Sequence, residues 1–480
     1  MSSYLLQAEG LTIRGEDVAI APFSCSLAPG GRLTLLGETG SGKSLLAQAI
    51  MGTLPKGLVA QGQLVIDGEA FDAADTTSRR ALWGHRLALL PQEPWHALDP
   101  TMRAVSQIAE SHHHVAGRDQ RASLQAAWAD LNELGLPEAG DKLPGELSGG
   151  MAQRVAFAAA SAGGAPIVIA DEPTKGLDAP RRDAVVELLA RTPEAAGALL
   201  TITHDIDVAR RLGGEVVILR QGQVVERGPA QQVLTHPQSE YGKRLLDAEP
   251  SRWPAPAPLG ESDMAAVVTA NGLAKVRGGR ELFRDLSLTV RPGEIVGVVG
   301  PSGCGKSTLG DMLLGVTRAD EGEVRRAAGH SLGFQKLYQD PPAAFSPHWR
   351  LSRLLDDLVR RHRLNRSSIA PLMARLGLDE NLLGRRPGEI SGGELQRFAI
   401  LRVLLLNPCF LFADEPTSRL DPITQRQTLA LLVELARERR CGVMLVSHDP
   451  ALIERICDRR ITLGNESMSV TKREREPAMA

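Results

Sequence analysis

The sequence predicts an α/β protein in which one nucleotide-binding architecture occurs twice along 480 residues. Three observations carry this expectation. Two stretches, GETGSGKS (Gly37–Ser44) and GPSGCGKS (Gly300–Ser307), fit G-x-x-x-x-G-K-[ST], the P-loop whose backbone amides wrap phosphate groups. Each is followed in the same order by SGG, by an apolar run ending in DEPT, and by a late His-Asp. The offsets also repeat: Ser148 and Ser391 stand 243 residues apart, as do Asp171 and Asp414, and His204 and His448 stand 244 apart. A repeat this long is two fused domains, since solenoid periods are far shorter.

Taken in order, the first half opens with short β-runs, of which LTLLG leads into the first loop. Lys43 and Lys306 are 263 residues apart, so the first half carries extra residues before Gln92, around GQLVIDGEAFDAADTTSRR. A polar helical middle follows, then the strands IVIAD and ALLTITHD. The second half repeats this with EIVGVVG, FLFAD and GVMLVSHD. Strands that are continuously apolar belong to sheets covered on both faces. The expected boundaries are a first domain over 1–250, a linker over 251–265, a second domain over 266–465 and a disordered tail over 466–480. The linker reading rests on SRWPAPAPLGES, whose prolines deny helix hydrogen bonds and favour extended geometry.

Composition narrows the function classes. Lys+Arg 55 against Asp+Glu 57 leaves no basic field to draw the chain to nucleic acid. The five cysteines are scattered without C-x-x-C spacing, which argues against a metal cluster or disulfide framework and suits a reducing cytosol. No run approaches the ~18–20 apolar residues of a membrane span, and MSSYLLQAEG lacks the pattern of a signal peptide. A cytoplasmic protein is expected, with any membrane role arising through partners.

The candidate chemistry is that of ATP and Mg²⁺. In the first loop Gly37, Glu38, Thr39, Gly40, Ser41 and Gly42 present backbone amides, Lys43 bridges the β- and γ-phosphates, and the Ser44 hydroxyl ligates Mg²⁺. In the second, Gly300, Pro301, Ser302, Gly303, Cys304, Gly305, Lys306, Ser307 and Thr308 repeat the arrangement. Asp171 and Asp414 end apolar strands, where a carboxylate holds Mg²⁺ through water. Glu172 and Glu415 orient and polarise the attacking water. His204 and His448 are placed to contact the γ-phosphate, and the amides of Gln92 and Gln339 to reach metal and water. The Cys304 thiol, where the first loop has Ser41, is expected beside the β-phosphate at a helix N-terminus, a setting that favours thiolate and alkylation.

At ELSGGMAQR (Glu146–Arg154) and EISGGELQR (Glu389–Arg397) the chain resembles the ATP-binding-cassette family, over almost its whole length and in six motifs per half. The resemblance implies that each domain has an α/β core, an antiparallel β subdomain and a helical signature subdomain. It implies that Ser148, Gly149 and Gly150 in one half, and Ser391, Gly392 and Gly393 in the other, bind γ-phosphate held by the opposite cassette. Lys43 and Glu172 would then work with Ser391, and Lys306 and Glu415 with Ser148, in a head-to-tail pair within one chain. Asp178 and Asp421 match the D-loop that couples the two sites. The family stacks an aromatic ring on adenine; here Arg14 and Arg277 occupy the equivalent places, and both adenine stacking and an exposed strand-end arginine remain open readings.

QEPWHALDP (Gln92–Pro100), QDPPAAFSP (Gln339–Pro347) and THPQSEYGKRLLDAEP (Thr235–Pro250) resemble the oligopeptide, dipeptide and nickel importer ATPases. That subfamily implies two integral-membrane permease subunits and a solute-binding protein as partners, peripheral attachment to the cytoplasmic face of the inner membrane, and a peptide, nickel, metal-chelate or opine-like solute. Permease contact is expected through the segments after Gln92 and Gln339, with Trp95 and Leu98 as docking residues. The cysteine cluster many members carry after the first cassette is absent, so no iron–sulfur centre is expected. The histidines His112–His114 read as a solvated helix end. The alternative class is a two-cassette ATPase acting on ribosomes or nucleic acid, for which SRWPAPAPLG is a poor linker.

Overall fold

The strand leading into the first phosphate loop, Arg32–Gly37, lies inside a six-stranded sheet ordered Gln223–Pro229, Glu215–Arg220, Arg32–Gly37, Ala198–Thr203, Ile167–Asp171, Leu87–Leu90. The strands pair in parallel except Gln223–Pro229, which is antiparallel to its neighbour. Ile167–Asp171 and Ala198–Thr203 are buried along their whole length, as the unbroken apolar runs require. The computed structural model describes residues 4–16, 18–92, 97–177, 179–192, 197–254, 264–301, 303–327, 332–417, 420–464 and 469–472. The chain divides into two units, Met1–Leu246 and Asp247–Ala480.

The second unit builds the same sheet in the same order: Ser469–Lys472, Arg459–Thr462, Ile295–Val299, Gly442–Val446, Phe410–Asp414, Phe334–Leu337. Its edge strand Ser469–Lys472 runs antiparallel to Arg459–Thr462. Within the stretch 466–480 expected as a disordered tail, Ser469–Lys472 thus gives the backbone edge of Arg459–Thr462 a partner, and residues 466–468 and 473–480 lie outside the described residues.

Each unit adds an antiparallel sheet. In the first it is Ala19–Leu27, Leu6–Arg14, Val59–Ile66 and Glu69–Asp72; in the second, Arg280–Val290, Val268–Arg277 and Glu321–Arg326. The extra residues of the first half thus supply the strand Glu69–Asp72 and the short helical turn Ser78–Leu82. That turn carries Arg79, fully buried, whose guanidinium donates to the carbonyls of Asp72, Ala73 and Ala49. The Ala49 carbonyl lies in the last turn of the phosphate-loop helix Lys43–Met51, where a cation suits the helix dipole. Arg326 does the same for the second helix, donating to Leu313 and Met312 at 2.7 Å each.

The helical layers comprise Ala104–His114, Gln120–Glu133 and Gly149–Ser161 in the first unit, and Leu351–His362, Ile369–Arg375 and Gly392–Leu405 in the second. Leu98 and Phe345, at equivalent places after Gln92 and Gln339, are both buried, and Phe345 meets the Phe398 ring edge-on at 6.4 Å. Leu98 is therefore a core residue and not the docking contact expected, because its side chain packs with the helices of the first unit; Trp95 lies outside the described residues. Trp253, expected in the linker, is also buried: it packs into the second unit's core and its ring N–H donates to the Ala248 carbonyl at 2.9 Å. Residues 255–263, the rest of that proline-rich stretch, lie outside the described residues.

Candidate active site

Both phosphate loops take the same path. Gly37, Gly40 and Gly42 have φ of 156°, 82° and 97°, and Gly300, Gly303 and Gly305 have 153°, 80° and 101°. At Gly37 a Cβ would stand 2.2 Å from the Leu219 carbonyl oxygen, and at Gly300 it would stand 2.4 Å from that of Leu463, so only glycine fits. The helices Lys43–Met51 and Lys306–Leu314 start directly after each loop and point their N-terminal amides at it.

The lysines are folded onto their own loops. Lys43 Nζ donates to the Gly37 and Glu38 carbonyls at 2.8 and 2.7 Å and to Ser41 Oγ at 3.3 Å. Lys306 Nζ donates to the Gly300 and Pro301 carbonyls at 2.7 and 3.0 Å. Ser44 Oγ donates to Asp171 Oδ1 at 3.0 Å, and Ser307 makes the corresponding hydrogen bond to Asp414. Burial raises the pKa of both aspartates above the ordinary carboxylate range. The helix-start hydroxyl and strand-end carboxylate thus meet in both units, although 127 residues separate Ser44 from Asp171.

Glu172 and Glu415 each have φ of 48°, in the left-handed region. A side-chain-bearing residue there costs roughly 1–2 kcal/mol, and matched strain of this kind concentrates at functional sites. The neighbouring strands hold the twist: Glu172 N–H donates to the Ile202 carbonyl at 2.8 Å and Glu415 N–H to that of Val446 at 3.1 Å. His204 Nδ1 lies 2.8 Å from Glu172 Oε1, and His448 Nε2 lies 2.5 Å from Glu415 Oε1. Burial opposes charge on Glu172 and His204, yet each outweighs it for the other: Glu172 is held below its ordinary pKa and His204 above. Gln339 Nε2 donates to Glu415 Oε2 at 2.8 Å, giving a Gln–Glu–His cluster in the second unit. Gln92 is exposed on the loop after Leu87–Leu90.

A cavity of about 450 Å³ in the second unit brings Lys306, Ser307, Gln339, Asp414, Glu415 and His448 to one space. Arg277 lines it too, with Arg280 and Leu282, which the sequence reading missed. The signal was available: a two-residue turn pairs Arg277 with Arg280. Arg14, exposed like Arg277, pairs with Ala19.

Ser148 and Ser391 cap the helices Gly149–Ser161 and Gly392–Leu405, accepting from the amides of Met151 at 3.4 Å and Glu394 at 3.2 Å. Only the second cap is reciprocal, since Glu394 also accepts from the Ser391 amide at 2.8 Å and hydroxyl at 2.7 Å. Asp421 caps the helix Pro422–Glu438 through the Thr424 amide at 3.0 Å. Asp178 and Ser302 lie outside the described residues. Cys304 corrects an expectation: its side chain is 4% exposed and packs in the apolar core beneath the loop, so the thiol is turned away from the phosphate space. The three histidines end the helix Ala104–His114, but His112 is buried and bonded to Asp130 Oδ2 at 2.7 Å, so this helix end is solvated only in part. Among the described residues, no group of three or more His, Cys, Asp or Glu is placed to hold a metal ion.

The ABC transporter family profile matches residues 20–175 and 283–418. The peptidoglycan transport ATP-binding protein YejF of Agrobacterium fabrum is 32% identical, across 93% of this chain and 88% of its own length. The glutathione import ATP-binding protein GsiA of Pectobacterium atrosepticum is 32% identical, across 92% and 81%. A solved assembly described as ribosome-bound archaeal Pelota and ABCE1 matches with a TM-score of 0.69 at 21% identity, covering 96% of this chain and 78% of that one, a likeness of fold alone. With two phosphate loops, two strained glutamates and a profile match in each half, the chain belongs to the ABC transporter family and is a two-cassette ATPase.

Proposed function

We propose that the chain is the energy-coupling subunit of an importer for peptide-class solutes, working with two integral-membrane permease subunits and a solute-binding protein. One observation carries the reading: both hydrolytic residue sets are intact in a chain whose relatives at 32% identity are named for peptidoglycan transport and glutathione import. Among the described residues no helix is long and apolar enough to cross a membrane. The ribosome-bound structural neighbour supports a shared fold and no more.

In this reading ATP lies along each phosphate loop, and Lys43 or Lys306 moves from loop carbonyls to the β- and γ-phosphates. The donor sets fit Mg²⁺: an oxygen-only pair of Ser44 with Asp171, or Ser307 with Asp414, with Gln92 or Gln339 as third ligand. Burial of each aspartate disfavours its charge until a cation arrives. When bound, Mg²⁺ neutralises charge on the phosphate oxygens. Glu172 and Glu415 orient the attacking water and accept its proton, held to that task by their strained backbone. His204 and His448 keep the carboxylates in place and turn to the γ-phosphate. Arg277 offers a guanidinium plane to the adenine, and Arg14 takes that part in the first site. Ser391 with its glycines completes the first site and Ser148 the second, and Asp178 and Asp421 link them. Closure excludes water and ties hydrolysis to transport.

A cavity of about 240 Å³ beside Gln339, rimmed by Tyr338, Val316, Arg402 and Leu406, supports permease docking there; Val316 is 75% exposed and Tyr338 49%. The test is co-purification with candidate permeases, followed by ATPase assays in proteoliposomes with the binding protein and a peptide series. Solute-stimulated ATPase is the expected result. Ribosome binding without any permease partner would overturn the proposal.

A further inference from the structure

We propose that Tyr241 is a positioning residue for the first ATP site, holding the phosphate loop from a segment beyond the catalytic core. The inference rests on the ATP-site reading above and adds a residue and an asymmetry to it. Tyr241 sits in HPQSEYGKRLL, a stretch for which the hydrolytic chemistry has no use. It lies on the helix Glu240–Asp247 and is 4% exposed. Its hydroxyl accepts a hydrogen bond from the Glu38 amide at 3.2 Å, and that amide belongs to the phosphate loop.

The tyrosine is itself fixed. Glu226, on the strand Gln223–Pro229, accepts from the amides of Gln238 at 2.7 Å and Ser239 at 3.0 Å. Ser239 Oγ accepts from the Gly242 amide at 2.9 Å, fastening the start of the helix. The Arg220 guanidinium lies 5.2 Å from the centre of the tyrosine ring. Gly222, beside that same strand, donates its amide to the Ser41 carbonyl at 3.1 Å. One hairpin and the helix tied to it therefore grip the phosphate loop at two points, Glu38 and Ser41.

The grip matters when ATP arrives. Lys43 Nζ holds the Glu38 carbonyl at 2.7 Å. Once the lysine moves to phosphate that tie is gone, while the Tyr241 hydroxyl still holds the amide of the same residue. A loop kept in its anion-wrapping shape binds with less ordering cost. The second loop cannot take the same brace: Pro301 stands at the place of Glu38 and has no amide N–H to donate, and the chain has tyrosines only at 4, 241 and 338.

The test uses the full chain and a fluorescent ATP analogue with Mg²⁺. A Lys306→Ala background leaves the first site to be read, and Lys43→Ala leaves the second. Tyr241→Phe keeps the packed ring and removes one hydrogen bond, so first-site affinity should fall about three- to tenfold, with KM raised and kcat nearly unchanged. The second site should not move. Glu226→Gln loosens the clamp without touching the tyrosine and should shift the first-site constant in the same direction. Unchanged first-site affinity in Tyr241→Phe, or an equal loss at both sites, would overturn the inference. Failure of the Lys306→Ala parent to bind nucleotide would instead overturn the ATP-site reading beneath it.

Discussion

Glu415→Gln is the sharpest test of the catalytic geometry. The glutamate is 8% exposed, sits at φ 48°, receives the Gln339 amide at 2.8 Å and pairs with His448 at 2.5 Å. Glutamine has nearly the same size, keeps an oxygen for Gln339 and removes the charge that draws a proton from water. Loss of a base or water-positioning group costs about 10²-fold or more in rate, roughly 2.7 kcal/mol of barrier at 1.36 kcal/mol per tenfold. In the proposed site Lys306, Ser307 and loop amides bind phosphate, and none of them changes, so Mg-ATP affinity should stay close to that of the parent. The assay is single-turnover hydrolysis of radiolabelled ATP in a Lys43→Ala background, which confines binding to the second site, with affinity measured in parallel. With both lysines retained, Glu172→Gln combined with Glu415→Gln should trap an ATP-loaded, non-hydrolysing state. If Glu415→Gln hydrolyses at the parental rate while binding normally, Glu415 is not the catalytic group and the reasoning from the Gln–Glu–His cluster fails.

Other outcomes follow from the same geometry. Because Glu172 is lowered from 4.5 and His204 raised from 6.5, their pairing stabilises the fold between those values. It is lost as acid passes the depressed Glu172 pKa and as base passes the elevated His204 pKa, so the Tm gap between wild type and His204→Gln should be widest inside that window and narrow on both sides. Leu98→Ala should act as a core deletion, costing about 2–4 kcal/mol in denaturant titration, whereas Tyr338→Ala should leave the isolated chain's ATPase intact and uncouple transport in proteoliposomes; the reverse pattern would refute the docking surface. Cys304 should resist maleimide in the native protein and react on unfolding, and Cys304→Ser should hydrolyse ATP normally; rapid native labelling blocked by Mg-ATP would show the thiol facing the phosphate space.

The sequence by itself determined the features written in consecutive residues. A glycine-rich loop closing into a helix is local backbone chemistry, and its flanking apolar runs announce strands buried on both faces. Asp171–Glu172 and Asp414–Glu415 were legible as strand ends for the same reason. Repetition at a near-constant offset made each of these readable twice, and it located the extra residues that became Glu69–Asp72 and the Arg79 turn. What only the tertiary structure decided is which distant groups meet. Glu38 and Tyr241 are 203 residues apart, and no periodicity announces their hydrogen bond. Whether Leu98 faces a partner or the core, and whether Cys304 faces phosphate or the apolar core beneath the loop, depends on side-chain direction, which packing chooses from spatial neighbours. The strand Ser469–Lys472 was unreadable because a polar edge strand carries no hydrophobic alternation; its place is set by the unpaired backbone of Arg459–Thr462 beside it.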